Sequence, residues 1–115
     1  MELRLVVGII RPRVLEAVEK KLQEIGVRGL TVIRSRGYGA HANFFARDWL
    51  VDQVKLEIYV EQDRAESVAA AILDTAHTGS EGDGIVAILP VDKVYNIRTR
   101  SEEIPNRLQR GRPEP

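Results

Sequence analysis

A chain of 115 residues with 43% apolar side chains has enough hydrophobic surface for one globular domain and too much for a disordered one. Its 17 lysines and arginines are matched by 17 aspartates and glutamates, so no net field draws it to nucleic acid or to a membrane surface. It has no cysteine, which excludes disulfides, thiolate metal sites and cysteine nucleophiles.

In chain order, Leu3–Ile10 reads as a strand. It is apolar almost throughout (Leu5, Val6, Val7, Ile9, Ile10), the pattern of a strand covered on both faces. With Glu2 and Arg4 and no small-residue cleavage site, this opening stretch does not read as a secretory signal, and no apolar run is long enough to span a bilayer. A cytoplasmic location is the expectation. Pro12 suits a helix start, where its missing N–H costs nothing. Apolar residues then recur at helical spacing (Leu15, Val18, Leu22, Ile25), and Gly26 can end the helix in a left-handed conformation.

Residues 29–36 form a second strand, broken by Gly37-Tyr38-Gly39. Residues 37–53 follow as a loop too long for a hairpin, and loops of that kind usually carry function. Four of the six aromatics lie in or beside it: Tyr38, Phe44, Phe45 and Trp49. Phe44, Phe45, Arg47 and Trp49 read as a surface for docking a partner; the alternative is that the loop folds back and buries them. A third strand over 54–60 alternates cleanly, with Val54, Leu56, Ile58 and Val60 on one face. Asp63 and Glu66 resemble a capping pair at the start of a second helix, whose expected inner face is Val68, Ile72, Leu73 and Ala76. Residues 78–84 are a glycine-rich loop. Residues 85–89 form a fourth strand stopped by Pro90, and 94–98 a short extra one. Arginines crowd residues 100–115, which read as a basic tail, solvated from Arg107 onward.

The order β-α-β-β-α-β predicts an α+β, ferredoxin-like sandwich over residues 1–99, with both helices on one sheet face. Nothing in the chain covers the other face, so a homo-oligomer is expected.

Chemistry-bearing features are few. The three glycines of Thr78-Gly79-Ser80-Glu81-Gly82-Asp83-Gly84 let backbone N–H groups approach an anion. The segment is not a Walker loop, since it lacks Gly-Lys-Ser/Thr and follows a helix, whose dipole there has the wrong sign for phosphate. An ordinary turn is the alternative. His41 and His77 lack metal-ligand spacing, no Ser–His–acid order stands out, and Tyr59 alone could stack a base. No catalytic or metal site, no catalytic cofactor and no nucleic-acid partner is expected.

Taken as an ordered set, Ile9-Ile10-Arg11-Pro12, Gly29-Leu30-Thr31-Val32, Gly37-Tyr38-Gly39, Val54-Lys55-Leu56-Glu57-Ile58, the glycine loop and Asn96-Ile97-Arg98-Thr99 resemble the PII signal-transduction family across residues 1–99. The resemblance implies a homotrimer that binds an adenine nucleotide (ADP, AMP or ATP) in clefts between subunits and regulates a transporter or an enzyme through the long loop. Adenine would lie near Ile9, Gly29, Leu30, Thr31, Glu57 and Tyr59. Phosphates would lie near Gly37, Tyr38, Gly39, Gly82, Asp83, Gly84 and Arg98. A second small anion such as bicarbonate, and recruitment to a membrane transporter, are also compatible with such relatives.

The sequence departs from the family's usual pattern. Ala40-His41 replaces an arginine–glutamine pair whose glutamine helps hold 2-oxoglutarate, Ile85 replaces a lysine, Asn96 replaces an arginine, and the long loop is shorter. Two other readings of the same fold are a trimer of the metal-tolerance type and an acylphosphatase-like hydrolase using Arg11 and Arg13.

Overall fold

The computed structural model describes residues 2–37 and 50–107. Its elements are β1 (Leu3–Ile10), α1 (Leu15–Glu24), β2 (Thr31–Gly37), β3 (Val51–Glu61), α2 (Gln62–Ala76), β4 (Gly84–Val91) and a small hairpin of β5 (Tyr95–Asn96) with β6 (Ser101–Glu102). The main sheet is antiparallel in the order β2-β3-β1-β4, with both helices on one face: the ferredoxin-like α+β fold.

The core lies between that face and the helices. Val6 and Ile10 of β1 and Val54, Leu56, Ile58 and Val60 of β3 are buried against Val18 and Leu22 of α1 and Val68 and Ile72 of α2. The strict alternation of β3 produces this directly, because successive side chains of a strand point to opposite faces. Gly8 lies on the same face, where a Cβ would stand 3.4 Å from Ile72. β1 itself is covered on only one side. Val6, Gly8 and Ile10 are buried, whereas Leu5, Val7 and Ile9 are half-exposed on the open face.

Local signals set several boundaries. A 3-10 turn over Pro12–Val14 precedes α1, in keeping with proline at a helix start. Gly26 ends α1 with φ 92°, and Val27 N–H donates back to Leu22 C=O at 2.9 Å.

Other expectations are corrected. α2 begins at Gln62 without a side-chain cap; Gln62 N–H donates to Glu2 C=O at 3.1 Å, and Asp63 sits in the first turn, where the helix dipole favours a negative charge. Leu73 is 55% exposed, and Ala65, Ala69 and Ala71 join Val68, Ile72 and Ala76 in the buried face. Pro90 does not stop β4, which runs on to Val91; β4 is an edge strand, where a missing donor is tolerated. β2 reaches Gly37 and β3 starts at Val51, pairing Gly37 with Val51, so the loop connecting them is shorter than 37–53. Residues 100–107, placed by sequence in a basic tail, close the β5–β6 hairpin and return to the domain, with Glu103 N–H donating to Val94 C=O at 2.8 Å. Among the described residues no helix is long and apolar enough to cross a membrane.

Candidate functional site

Two clefts gather most of the sequence-predicted site residues. The larger, about 730 Å³, lies where β2 begins beside β3 and is lined by Gly29, Leu30, Thr31, Glu57 and Tyr59 together with Arg28 and residues 102–107. The β2–β3 register explains the grouping. Thr31 stands opposite Glu57, and Tyr59 is two residues further along β3 on the same open face. Glu57 is half-buried and pairs with Lys55, its same-face neighbour, at 3.4 Å. The far wall of this cleft, residues 102–107, lies outside every motif singled out in the sequence.

The second cleft, about 320 Å³, opens where β1 ends and β4 begins. It is lined by Ile9, Gly82, Asp83 and Gly84, with Ile10, Arg11, Val51, Asp52, Gln53, Ser80 and Glu81. Gly84 pairs with Ile10 at φ 109°, and a Cβ there would stand 1.8 Å from the Ile9 carbonyl oxygen, so only glycine fits. Gly79 (φ 88°) and Gly82 (φ 93°) also take left-handed conformations in the loop between α2 and β4.

Asp83 organises that loop. Its carboxylate accepts from the Thr78 hydroxyl, from Thr78 N–H at 2.8 Å and from Gly79 N–H at 2.9 Å. The Thr78 hydroxyl above all, then the two N–H groups and the Arg11 guanidinium, hold this carboxyl well below the usual carboxylate range. Arg11, just after β1, locks the arrangement: it donates to Ser80 Oγ at 3.2 Å and to Glu81 C=O, and its Nε lies 3.5 Å from Asp83. Thus the loop is held by its own aspartate and by an arginine whose motif the sequence displayed but whose task it did not. Arg11 is half-buried and meets a loop far away in the chain, a pairing that no local sequence pattern displays.

Among the described residues, the other two predicted site residues, Gly37 and Arg98, line neither cleft. Arg98 sits in the β5–β6 turn. Gly37 ends β2 beside Gln53, whose side chain would lie 3.0 Å from a Cβ added at residue 37. Tyr38, Gly39, Ala40, His41, Phe44, Phe45, Arg47 and Trp49 lie outside the described residues. Asn96 is engaged within its own hairpin: Oδ1 accepts from Thr99 N–H at 3.2 Å and Nδ2 donates to Glu103 at 3.1 Å. Ile85, on the open face, is 60% exposed. Among the described residues no cluster of three or more His, Asp or Glu is placed to hold a metal.

Comparison with known proteins gives one consistent answer. The family described as "Nitrogen regulatory protein P-II" matches over residues 3–101. The "Nitrogen regulatory protein GlnK2" of Haloferax mediterranei is 40% identical over 104 residues, covering 84% of this chain and 85% of that protein. The "Nitrogen regulatory protein P-II" of Azospirillum brasilense is 36% identical over 99 residues, covering 80% and 88%. A P-II homologue of Arabidopsis thaliana is 40% identical over 100 residues, and this chain spans about half (51%) of that plant protein's length. The crystal structure of Arabidopsis thaliana PII bound to citrate superposes with a TM-score of 0.78 at 38% identity, covering 89% of each chain. None of these supports the metal-tolerance or hydrolase readings. With its fold, its two glycine-lined clefts and this match in hand, the chain belongs to the P-II nitrogen regulatory family, whose members are signalling regulators and not enzymes.

Proposed function

We propose that the protein is a homotrimer that binds an adenine nucleotide between subunits and regulates a transporter or an enzyme through the loop at residues 38–49. The observation that carries this reading is the division of the predicted ligand residues between two clefts of one subunit. Gly29, Leu30, Thr31, Glu57 and Tyr59 line one, and Ile9, Gly82, Asp83 and Gly84 line the other. A three-fold assembly through the open sheet face would set one cleft of each subunit against the other cleft of its neighbour. It would also give Arg98, which projects from an exposed turn, a phosphate to meet.

The chain's departures from the family pattern shape its selectivity. Ile85 and Asn96 stand where cations are usual, and Asn96 is committed to its hairpin. Charge-assisted hydrogen bonds to phosphate are worth about 1.5–3 kcal/mol each, so losing two removes most of the preference for a γ-phosphate. ADP or AMP should therefore bind at least as well as ATP, with little effect of 2-oxoglutarate. Arg98→Ala should weaken all three nucleotides. Titration calorimetry tests this, and a strong ATP preference sharpened by 2-oxoglutarate would contradict it. Trp49, the single tryptophan, lies in the proposed output loop, so its emission should change in the same titration.

A further inference from the structure

One side chain fastens the end of the described chain to the larger cleft. Asn106 Oδ1 accepts from the N–H groups of Arg28 at 2.8 Å and Gly29 at 2.9 Å. Its Nδ2 donates to the carbonyls of Gly29 at 2.8 Å and Tyr59 at 3.0 Å. The Asn106 carbonyl accepts from Arg64, which also donates to Ile25 C=O at 3.1 Å, and Arg107 pairs with Glu61 at 3.4 Å. Asn106 takes a left-handed φ of 58°, a conformation asparagine adopts more readily than most residues.

The placement has a reason in the sheet. The β2–β3 ladder begins at Thr31–Glu57, and two residues further out the same register would pair Gly29 with Tyr59. The Asn106 carboxamide stands between them and serves the main-chain groups of both strands. It replaces ladder bonds at the point where β2 parts from β3, which is also where the cleft opens.

We infer that Asn106 is a positioning residue of this cleft: it fixes the main chain at Arg28 and Gly29 and so sets how tightly the cleft holds its ligand. Only the ligand's identity rests on the nucleotide reading above. The cleft keeps a volume of about 730 Å³ with Asn106 in its lining, so the side chain is a wall and not a plug. The same bonds join the hairpin that bears Arg98 to the wall formed by Gly29–Tyr59 within one subunit. A wall ordered before the ligand arrives loses less entropy on binding.

Asn106→Gly tests the inference, because it deletes the carboxamide but allows the left-handed backbone. In hydrogen–deuterium exchange, the amides of Arg28 and Gly29 should exchange about tenfold or more faster, while those of Thr78 and Gly79, held by Asp83, keep their rates. Affinity for ADP should fall about fivefold or more with the oligomeric state unchanged. Asn106→Asp, which keeps the acceptor but turns a carboxylate toward the Gly29 and Tyr59 carbonyls, should move both readings the same way. Unchanged exchange at Arg28 and Gly29 would overturn the inference. So would exchange accelerated equally in both segments, the mark of a general loss of structure. Tighter ADP binding in Asn106→Gly would overturn it too, by making the carboxamide a competitor. If the unaltered protein binds no ADP, the nucleotide reading falls by itself, and the exchange measurement alone decides the role of Asn106.

Discussion

Gly84 and Gly29 are both predicted ligand residues, yet their backbones impose opposite demands. Gly84 combines φ 109° with a Cβ position 1.8 Å from the Ile9 carbonyl oxygen, and β1 cannot move aside without breaking its pairing on both edges. Gly84→Ala should therefore cost about 3 kcal/mol or more, combining backbone strain with the clash. At Gly29 a Cβ would meet nothing nearer than 4.0 Å, and φ is not positive. Gly29→Ala should stay within about 0.5 kcal/mol of the parent. Urea unfolding of the two variants checks both, and equal midpoints would refute this account of the loop. Asp83 adds a different point at this scale. Its place in the predicted ligand site was readable from the glycine loop, but its carboxylate is spent on Thr78 and Gly79, which only the folded loop displays.

α2 shows what helical periodicity can and cannot resolve. Val68, Ile72 and Ala76 fall on the buried face as the spacing predicts, but Leu73 does not. Leu73 lies one residue, about 100° of helix rotation, from Ile72, and a helix above a sheet buries an arc set by its rotation about its own axis. That rotation brings Ala65, Ala69 and Ala71 inward, and it is Ile72 that meets the sheet at Gly8, where an added Cβ would stand 3.4 Å from its side chain. Ile72→Ala should thus destabilise by about 2–4 kcal/mol, through lost transfer energy and a cavity. Leu73→Lys should change stability by no more than about 0.5 kcal/mol. Thermal or denaturant unfolding separates the two, and a large loss in Leu73→Lys would restore the rotation expected from the sequence.

At the scale of the whole molecule, the open sheet face is the dominant unmet requirement. Leu5, Val7 and Ile9 lie on it directly opposite Leu89, Ala87 and Ile85 of β4, with Ile85 60% exposed and Leu89 41%, while Ile33 of β2, also 41% exposed, is set apart by Lys55 of β3. A contiguous apolar surface of this kind marks an interface. In the proposed trimer it is the surface that closes the assembly. Light scattering should report three chains for the unaltered protein. Val7→Asp places a charge at the centre of that face without touching the helix-side core, and it should give dissociated chains that no longer bind ADP. A Val7→Asp protein that remains trimeric would show that this face is not the interface.

The sequence by itself determined the element types, their order, the helix-side core of β3 and the family resemblance. These follow from local rules: alternation of two along a strand, the helical spacing of α1, and glycine where φ turns positive, as at Gly26 and Gly84. The family resemblance, and no local rule, grouped Ile9 with Gly29–Thr31, Glu57 and Tyr59 near adenine and Gly82–Gly84 with Gly37–Gly39 and Arg98 near phosphate; within one subunit Ile9 lines the cleft of Gly82–Gly84. Only the tertiary structure decided that these residues fall into two clefts, that Arg11 and Asp83 brace the glycine loop, that Leu73 faces outward and that Asn106 walls the larger cleft. Each of these depends on contacts between residues far apart in the chain, as between Asn106 and Gly29 or Arg11 and Glu81. Such contacts leave no periodic trace, because the chain between their partners is free to vary while the folded backbone sets where the ends meet.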